Sequence, residues 1–210
     1  MTVISPETYL KDPCGTLSIP FWKAQRMPTP AHIRIVHEQA FSPVCLEEYR
    51  DEPYFRLRHD LQDIPQVHLP DFEITTARAE DMERICSVIN RSYTDLQVSI
   101  GQLAGYTETP VYAQDLWLLV WEKATGQCVG CGIADLDRGM GELILEWIQV
   151  LPEYRRQGIG RMMVCELLRR GREGADFATV SGKCSAAAPE ALYRACGFTG
   201  TDVWHILQKR

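Results

Sequence analysis

The sequence of 210 residues predicts an α+β (mixed α/β) fold, and three observations carry that reading. Residues 116–150 read as three strands joined by short turns, an antiparallel meander. A helix begins in the glycine turn Gly158-Ile159-Gly160, where Ile159, Met163 and Leu167 recur at i, i+4 and i+8 and Val164 and Leu168 widen the apolar stripe. A further helix follows Pro189 and stops at Gly197, the residue types that begin and end helices.

The chain divides near Ile64-Pro65 to Pro70-Asp71, where two prolines bracket a polar connector. Residues 1–70 read as an N-terminal extension or small subdomain, proline-rich at first and strand-like at Ile33–Val36 and Tyr54–Leu57. Phe21, Trp22 and Phe41 indicate docking against another surface rather than disorder. Residues 71–210 read as the main domain. Phe72–Thr75 is its first strand, and Asp81–Ser92 its first helix, with Met82, Ile85, Val88 and Ile89 on one face. Leu116–Trp121 and Cys128–Leu136 are strands joined through Lys123-Ala124-Thr125-Gly126. Asp137-Arg138-Gly139-Met140-Gly141 then turns the chain into Glu142–Val150. After the glycine-turn helix come a strand at Ala178–Ser181, the helix of Tyr193 and a last strand at Val203–Leu207.

Composition narrows the class. The apolar fraction is 45%, enough for a core, and no apolar run approaches membrane-spanning length. Glu7, Lys11 and Asp12 interrupt the N-terminus and deny it the apolar centre of a signal peptide, so a cytoplasmic protein is expected. Most of the eight cysteines, such as Cys86, Cys128, Cys131 and Cys165, lie in periodic segments and read as small reduced core residues. Cys128-Val129-Gly130-Cys131 lies inside a strand, where residues three apart point to opposite faces, and no second pair follows. The histidines lack helical ligand spacing, and no metal is expected. Arginines gather at the glycine turn and its helix rather than along an extended face, which argues against nucleic acid.

Two motifs carry chemistry. Small residues in the turn let backbone N–H groups point outward over the positive end of the helix dipole, and Arg155, Arg156 and Arg161 add charge; such a place suits a diphosphate. A dinucleotide fingerprint fails because Met163 stands where a third glycine belongs. A P-loop fails because Cys184 follows Gly182-Lys183 and Phe177 replaces the leading glycine. The segment resembles motif A of the GNAT superfamily of N-acetyltransferases, Arg/Gln-x-x-Gly-x-Gly/Ala, filled by Arg155, Gly158 and Gly160 after the phrase Val150 to Arg155. Leu192-Tyr193 through Gly197-Phe198 is similar to the family's Leu-Tyr-x-x-x-Gly-Phe signature.

The resemblance implies the GNAT fold, a central, mostly antiparallel mixed sheet flanked by helices, and acetyl-CoA as co-substrate. It implies that Arg155, Arg156, Gln157, Gly158, Ile159, Gly160 and Arg161 cradle the pyrophosphate, and that the backbone of Ile148, Gln149 and Val150 holds the pantetheine arm like an added strand. It gives Tyr193 the protonation of the leaving thiolate. The asparagine that members often carry before this tyrosine is replaced by Cys184-Ser185-Ala186-Ala187-Ala188, with Ser185 a partial substitute.

An amine attacking a thioester must lose a proton, to a base or an ordered water. Glu146 is the first candidate, placed by alternation on one strand face with residues 148 and 150, and Glu142 on the same face is the second. A net charge of −6, with Asp135, Asp137, Glu142 and Glu146 along the approach, favours a cationic amine acceptor, a small molecule over a protein. Residues 1–70 could wall the acceptor site or form a dimer contact, leaving monomer and homodimer open. The alternative reading is a non-catalytic acyl-CoA-binding sensor or interaction protein.

Overall fold

The computed structural model describes residues 4–93, 96–185 and 187–210. Three short helices come first: α1 (Pro6–Lys11), α2 (Pro13–Thr16) and α3 (Phe21–Ala24). Ser5 Oγ accepts from the Thr8 N–H at 3.2 Å and Asp12 Oδ1 from the Gly15 N–H at 3.0 Å, with proline in each first turn, so six- and four-residue helices hold without length to support them. The chain continues as β1 (Ile33–His37), β2 (Tyr49–His59), β3 (Phe72–Thr76), α4 (Met82–Ser92), α5 (Ile100–Thr107), β4 (Trp117–Glu122), β5 (Gln127–Asp137) and β6 (Glu142–Val150). It closes with α6 (Ile159–Gly171), β7 (Phe177–Lys183), α7 (Ala187–Ala195) and β8 (Thr199–Lys209).

One eight-stranded sheet runs β1-β8-β2-β7-β6-β5-β4-β3. Every pairing is antiparallel except β6 with β7, whose parallel register needs the crossover through α6. Both faces are covered, and β4 shows why its sequence is apolar throughout. Leu118 and Val120 face a layer with Met163 and Leu167 of α6, whereas Trp117 and Leu119 face one with Ile85 and Ile89 of α4. From Phe72 onward the order is strand, two helices, three strands, helix, strand, helix, strand, as the sequence predicts except for the second of the paired helices. The helix α5 was not legible beforehand.

The first seventy residues are built into this sheet. β2 pairs with β7 from Tyr54↔Lys183 to His59↔Ala178, and with β8 from Tyr49↔Lys209 to Arg58↔Thr199. It is an interior strand, and Arg56 at its middle is 1% exposed. That guanidinium is kept by partners: Nη2 donates to Tyr9 Oη at 3.0 Å and to Glu142 Oε1 at 3.3 Å, and Nη1 to Ser181 Oγ at 3.2 Å. Helices α1–α3 lie on the face away from α6, where Trp204 Nε1 donates to the Cys14 carbonyl at 2.7 Å. Cys128 and Cys131 do not point to opposite faces: a register shift between Val120 and Trp121 turns both toward the α4 layer.

Candidate active site

The parallel ladder between β6 and β7 is short, running only from Glu142↔Phe177 to Leu145↔Val180. Beyond it β6 stays paired with β5 as far as Val150↔Gly130, while β7 follows β2 through Ser181, Gly182 and Lys183. The two strands splay, and among the described residues the β7-facing edge of residues 146–150 has no ladder partner. Unpaired strand backbone of this kind accepts an extended ligand as an added strand.

A bulge sits at the fork. Ile133 pairs with Trp147 and Ala134 with Leu145, which leaves Glu146 as the extra residue. Leu143 and Leu145 before it and Ile148 and Val150 after it all pack in the α6 layer, a step of three that alternation cannot give. The expectation that residues 142, 146, 148 and 150 share one face is therefore corrected. Glu142 points away from α6 and is 0% exposed. Its carboxylate accepts from Tyr9 Oη at 2.8 Å and Thr179 Oγ1 at 2.5 Å and pairs with Arg56. Burial outweighs the Arg56 attraction and pushes its pKa up. No acceptor amine reaches a group so enclosed, which removes Glu142 as a candidate base. Glu146 is partly exposed, at 22% of its side chain, and is paired with Lys23 of α3.

The glycine turn lies beyond the end of β6. Gly158 is the N-cap of α6 at φ +86°, a left-handed conformation that only glycine takes freely. An added Cβ there meets nothing closer than Leu69 at 3.6 Å, so backbone conformation rather than crowding demands the glycine. The first intrahelical bond described, Met162 N–H to the Gly158 carbonyl at 3.0 Å, leaves the N–H groups of Ile159, Gly160 and Arg161 without intrahelical acceptors. Gly160 has another reason: a Cβ there would sit 3.1 Å from Leu192, where α7 crosses α6. Arg156, Gln157 and Arg161 are exposed around the turn, and the Ile159 side chain is buried beneath it. Arg155 acts as a strut, donating to the carbonyls of Val150 at 3.2 Å and Ser92 at 2.9 Å, which ties the turn to β6 and α4.

Tyr193 of α7 is 8% exposed and packs against Phe198 and Phe55, ring centroids 5.7 and 6.2 Å away. Burial, reinforced by Tyr93 and Cys196, pushes its phenol up, so it carries a proton to give. Ser185 lies exposed in the turn between β7 and α7.

Sequence reasoning gave no role at the fork to Lys23, Trp22 or Tyr93, and it named Asp135 only as part of an acidic approach. Lys23 and Trp22 had no signal beyond an aromatic stretch that wants a surface. Tyr93 closes the C-terminal end of α4, accepting from Gln149 Nε2 at 2.9 Å and meeting Trp147 edge-on at 6.2 Å. Asp135 is 7% exposed, and its pKa is pushed up to about 7 by burial and by the Glu146 charge, with Lys23 opposing. Among the described residues no group of three or more His, Cys, Asp or Glu is placed to hold a metal, and no helix is long and apolar enough to cross a membrane.

The fold is shared with solved structures. A GCN5-related N-acetyltransferase from Sphaerobacter thermophilus superposes with a TM-score of 0.70 at 18% identity, over 86% of this chain and 61% of its own. One from Kribbella flavida gives 0.57 at 18% identity, over 84% and 67%. The ribosomal-protein-S18-alanine N-acetyltransferase of Escherichia coli gives 0.54 at 20% identity, over 66% and 93%. The chain thus spans about three fifths of the length of the Sphaerobacter protein. No protein of curated function matches in sequence. Residues 113–200, which hold the splay, the glycine turn and Tyr193, match the model of the Acetyltransferase (GNAT) domain. Residues 113–200 are thus similar to the Acetyltransferase (GNAT) domain, within a fold shared with GCN5-related N-acetyltransferases.

Proposed function

We propose that this protein is an N-acetyltransferase that moves an acetyl group from acetyl-CoA to a primary amine by direct attack on the thioester. One observation carries the reading: the unpaired edge of residues 146–150 leads to the N-terminus of α6, so one ligand with an extended arm and a diphosphate meets both. The residues fit such a ligand. The Ile148, Gln149 and Val150 backbone offers strand hydrogen bonds, the turn N–H groups with Arg156, Gln157 and Arg161 suit the diphosphate, and Ser185 borders the far side of the splay.

Acetyl-CoA supplies an activated acyl carbonyl and a thiolate leaving group. Glu146, at the fork, takes the amine's proton directly or through a water, a role of about two to four orders of magnitude in rate. Tyr193, buried and protonated, gives its proton to the departing sulfur. Backbone N–H groups at the fork polarise the carbonyl. Residues 71–210 carry this machinery, and residues 1–70 contribute β2 and an acceptor-side wall through α3. The eight free cysteines favour a reducing compartment such as the cytoplasm, and the open acidic fork favours a small amine over a folded protein.

Calorimetric titration with acetyl-CoA, beside free CoA, tests the reading without knowledge of the acceptor. Micromolar binding that weakens sharply in Gly158→Val is expected. A folded wild-type protein that takes up no acetyl-CoA refutes it.

A further inference from the structure

The geometry points to an ammonium subsite for the acceptor, formed by Glu146, Asp135 and the Trp22 indole, which Lys23 fills in the free protein as an intramolecular stand-in that the acceptor must displace. The inference rests on the acyl-transfer reading and deepens it by assigning the residues that receive the ammonium and the side chain that must leave first.

Four observations converge on it. The Lys23 ammonium is paired with Glu146, the residue bulged out at the fork, and both side chains are only about one fifth exposed, at 23% and 22%. Asp135 belongs to the same cluster. It alternates with Ala134 and Leu136 of the α6 layer and so lies on the α3 side of β5, close enough that the charges of Glu146 and Lys23 both act on it. The residue is 7% exposed, and its carboxylate receives no hydrogen bond from the described residues. The fourth is aromatic: Lys23 Nζ lies 5.6 Å from the centroid of the Trp22 ring, and the Trp22 Nε1 is buried without a partner among the described residues.

A carboxylate pair beside an indole is a receptor for an alkylammonium ion. Lys23, tethered to α3, pairs with Glu146 and donates nothing to Asp135, a restraint that a free ammonium with the same three donors escapes. An incoming amine with three N–H donors could meet both carboxylates and pass a proton to one of them. Lys23 sits on a four-residue helix flanked by Pro20 and the stretch before Pro28, an element cheap to displace compared with a strand. Occupation by Lys23 lowers the apparent affinity for any acceptor by the fraction of time the subsite is open, so an occupancy of about nine tenths costs about tenfold.

Lys23→Ala removes three methylenes and the ammonium, a space that n-propylammonium refills. Calorimetric titration of n-propylammonium chloride is expected to show about tenfold tighter binding to Lys23→Ala than to wild type, with 1-propanol not bound by either. With acetyl-CoA added, the variant should release CoA thiol and form N-propylacetamide faster than wild type. Glu146→Gln placed on Lys23→Ala should abolish the gain. Equal affinity in wild type and Lys23→Ala, or a gain that survives Glu146→Gln, overturns the subsite while leaving acetyl-CoA binding, and the proposed function, intact. Tighter ammonium binding in a protein that takes up no acetyl-CoA upholds the cation site and overturns its role in acyl transfer. If Lys23→Ala does not fold, Lys23→Ser vacates nearly the same space, and its failure to bind n-propylammonium more tightly than wild type is equally fatal.

Discussion

Replacing Arg56 by methionine separates the structural role of Glu142 from a catalytic one. Arg56 donates to Tyr9, Glu142, Thr179 and Ser181 and, through Nε, to the Pro13 carbonyl at 3.4 Å. Without it the wholly buried Glu142 carboxylate keeps only the hydroxyls of Tyr9 and Thr179. Breaking a buried pair from one side typically costs about 3–5 kcal/mol, because the remaining charge stays in low dielectric. Against a total stability of about 5–15 kcal/mol, and with a urea slope near 2 kcal/mol/M, the unfolding midpoint should fall by about 2 M. The double variant Arg56→Met/Glu142→Gln should recover at least half of that loss, since the pair vanishes with its charges. The pH dependence has a definite sign. The Glu142 pKa is raised on folding, so its favourable contribution is complete below the unfolded value and is lost as pH rises through the folded one. Loss of Arg56 raises it further and steepens that fall. Glu142→Gln, assayed where it remains folded, should keep turnover within about threefold of wild type. A midpoint unchanged in Arg56→Met, or turnover in Glu142→Gln reduced by orders of magnitude, would refute the assignment.

Other expectations are narrower. Tyr193→Phe should lower kcat by about 10²- to 10⁴-fold with acetyl-CoA affinity unchanged, and full turnover would end its role as acid. Gly158→Val should weaken acetyl-CoA binding more than Gly160→Ala, because the first must force φ +86° on a β-branched residue while the second only nudges Leu192; the reverse order in calorimetry would displace the cradle. His205 sits between Asp51 at 2.8 Å and Glu38 at 2.6 Å. Burial pulls its pKa down, but the two carboxylates prevail and hold it up. Its stabilisation is therefore full below the unfolded pKa and lost as pH rises through the folded one, so wild type should lose more Tm than His205→Gln between about pH 6 and pH 8. Residues 71–210 expressed alone should show no cooperative unfolding, since β7 and β8 both lose their shared neighbour; a sharp thermal transition would show that β2 is dispensable.

Local patterns made most of the fold legible. The bounds of β6 and the start of α6 follow from a turn before Glu142 and glycines before an apolar stripe. The bulge at Glu146 does not: Leu143, Leu145, Trp147 and Ile148 are apolar on either side of it, so alternation continues smoothly through a place where the backbone slips, and it wrongly placed Glu142 and Glu146 on the face of Ile148 and Val150. The helix α5 was hidden by Gly101 and Gly105, which lower helix propensity, although a reciprocal cap between Ser99 and Gln102 was available in the sequence. The interior position of β2 was masked by Arg50, Asp51, Glu52, Arg56 and Arg58, a run that reads as solvated. Only the distant partners of Arg56, on α1, β6 and β7, allow such a strand inside a sheet.

Those same distant partners bind the chemistry to the N-terminal segment. Glu142 opens β6 and is held by Tyr9 of α1 and Arg56 of β2; four residues later Glu146 stands at the bulge and faces Lys23 of α3. One five-residue stretch is thus gripped at both ends by the first sixty residues. The first grip fixes the register in which β6 leaves β7, and so the position of the fork; the second decides what may approach it. In a sheet built only from residues 71–210 neither grip would exist. On the proposed function the N-terminal segment forms part of the acceptor side, and substitutions in α3 are expected to change acceptor choice without altering acetyl-CoA affinity at the Gly158 turn.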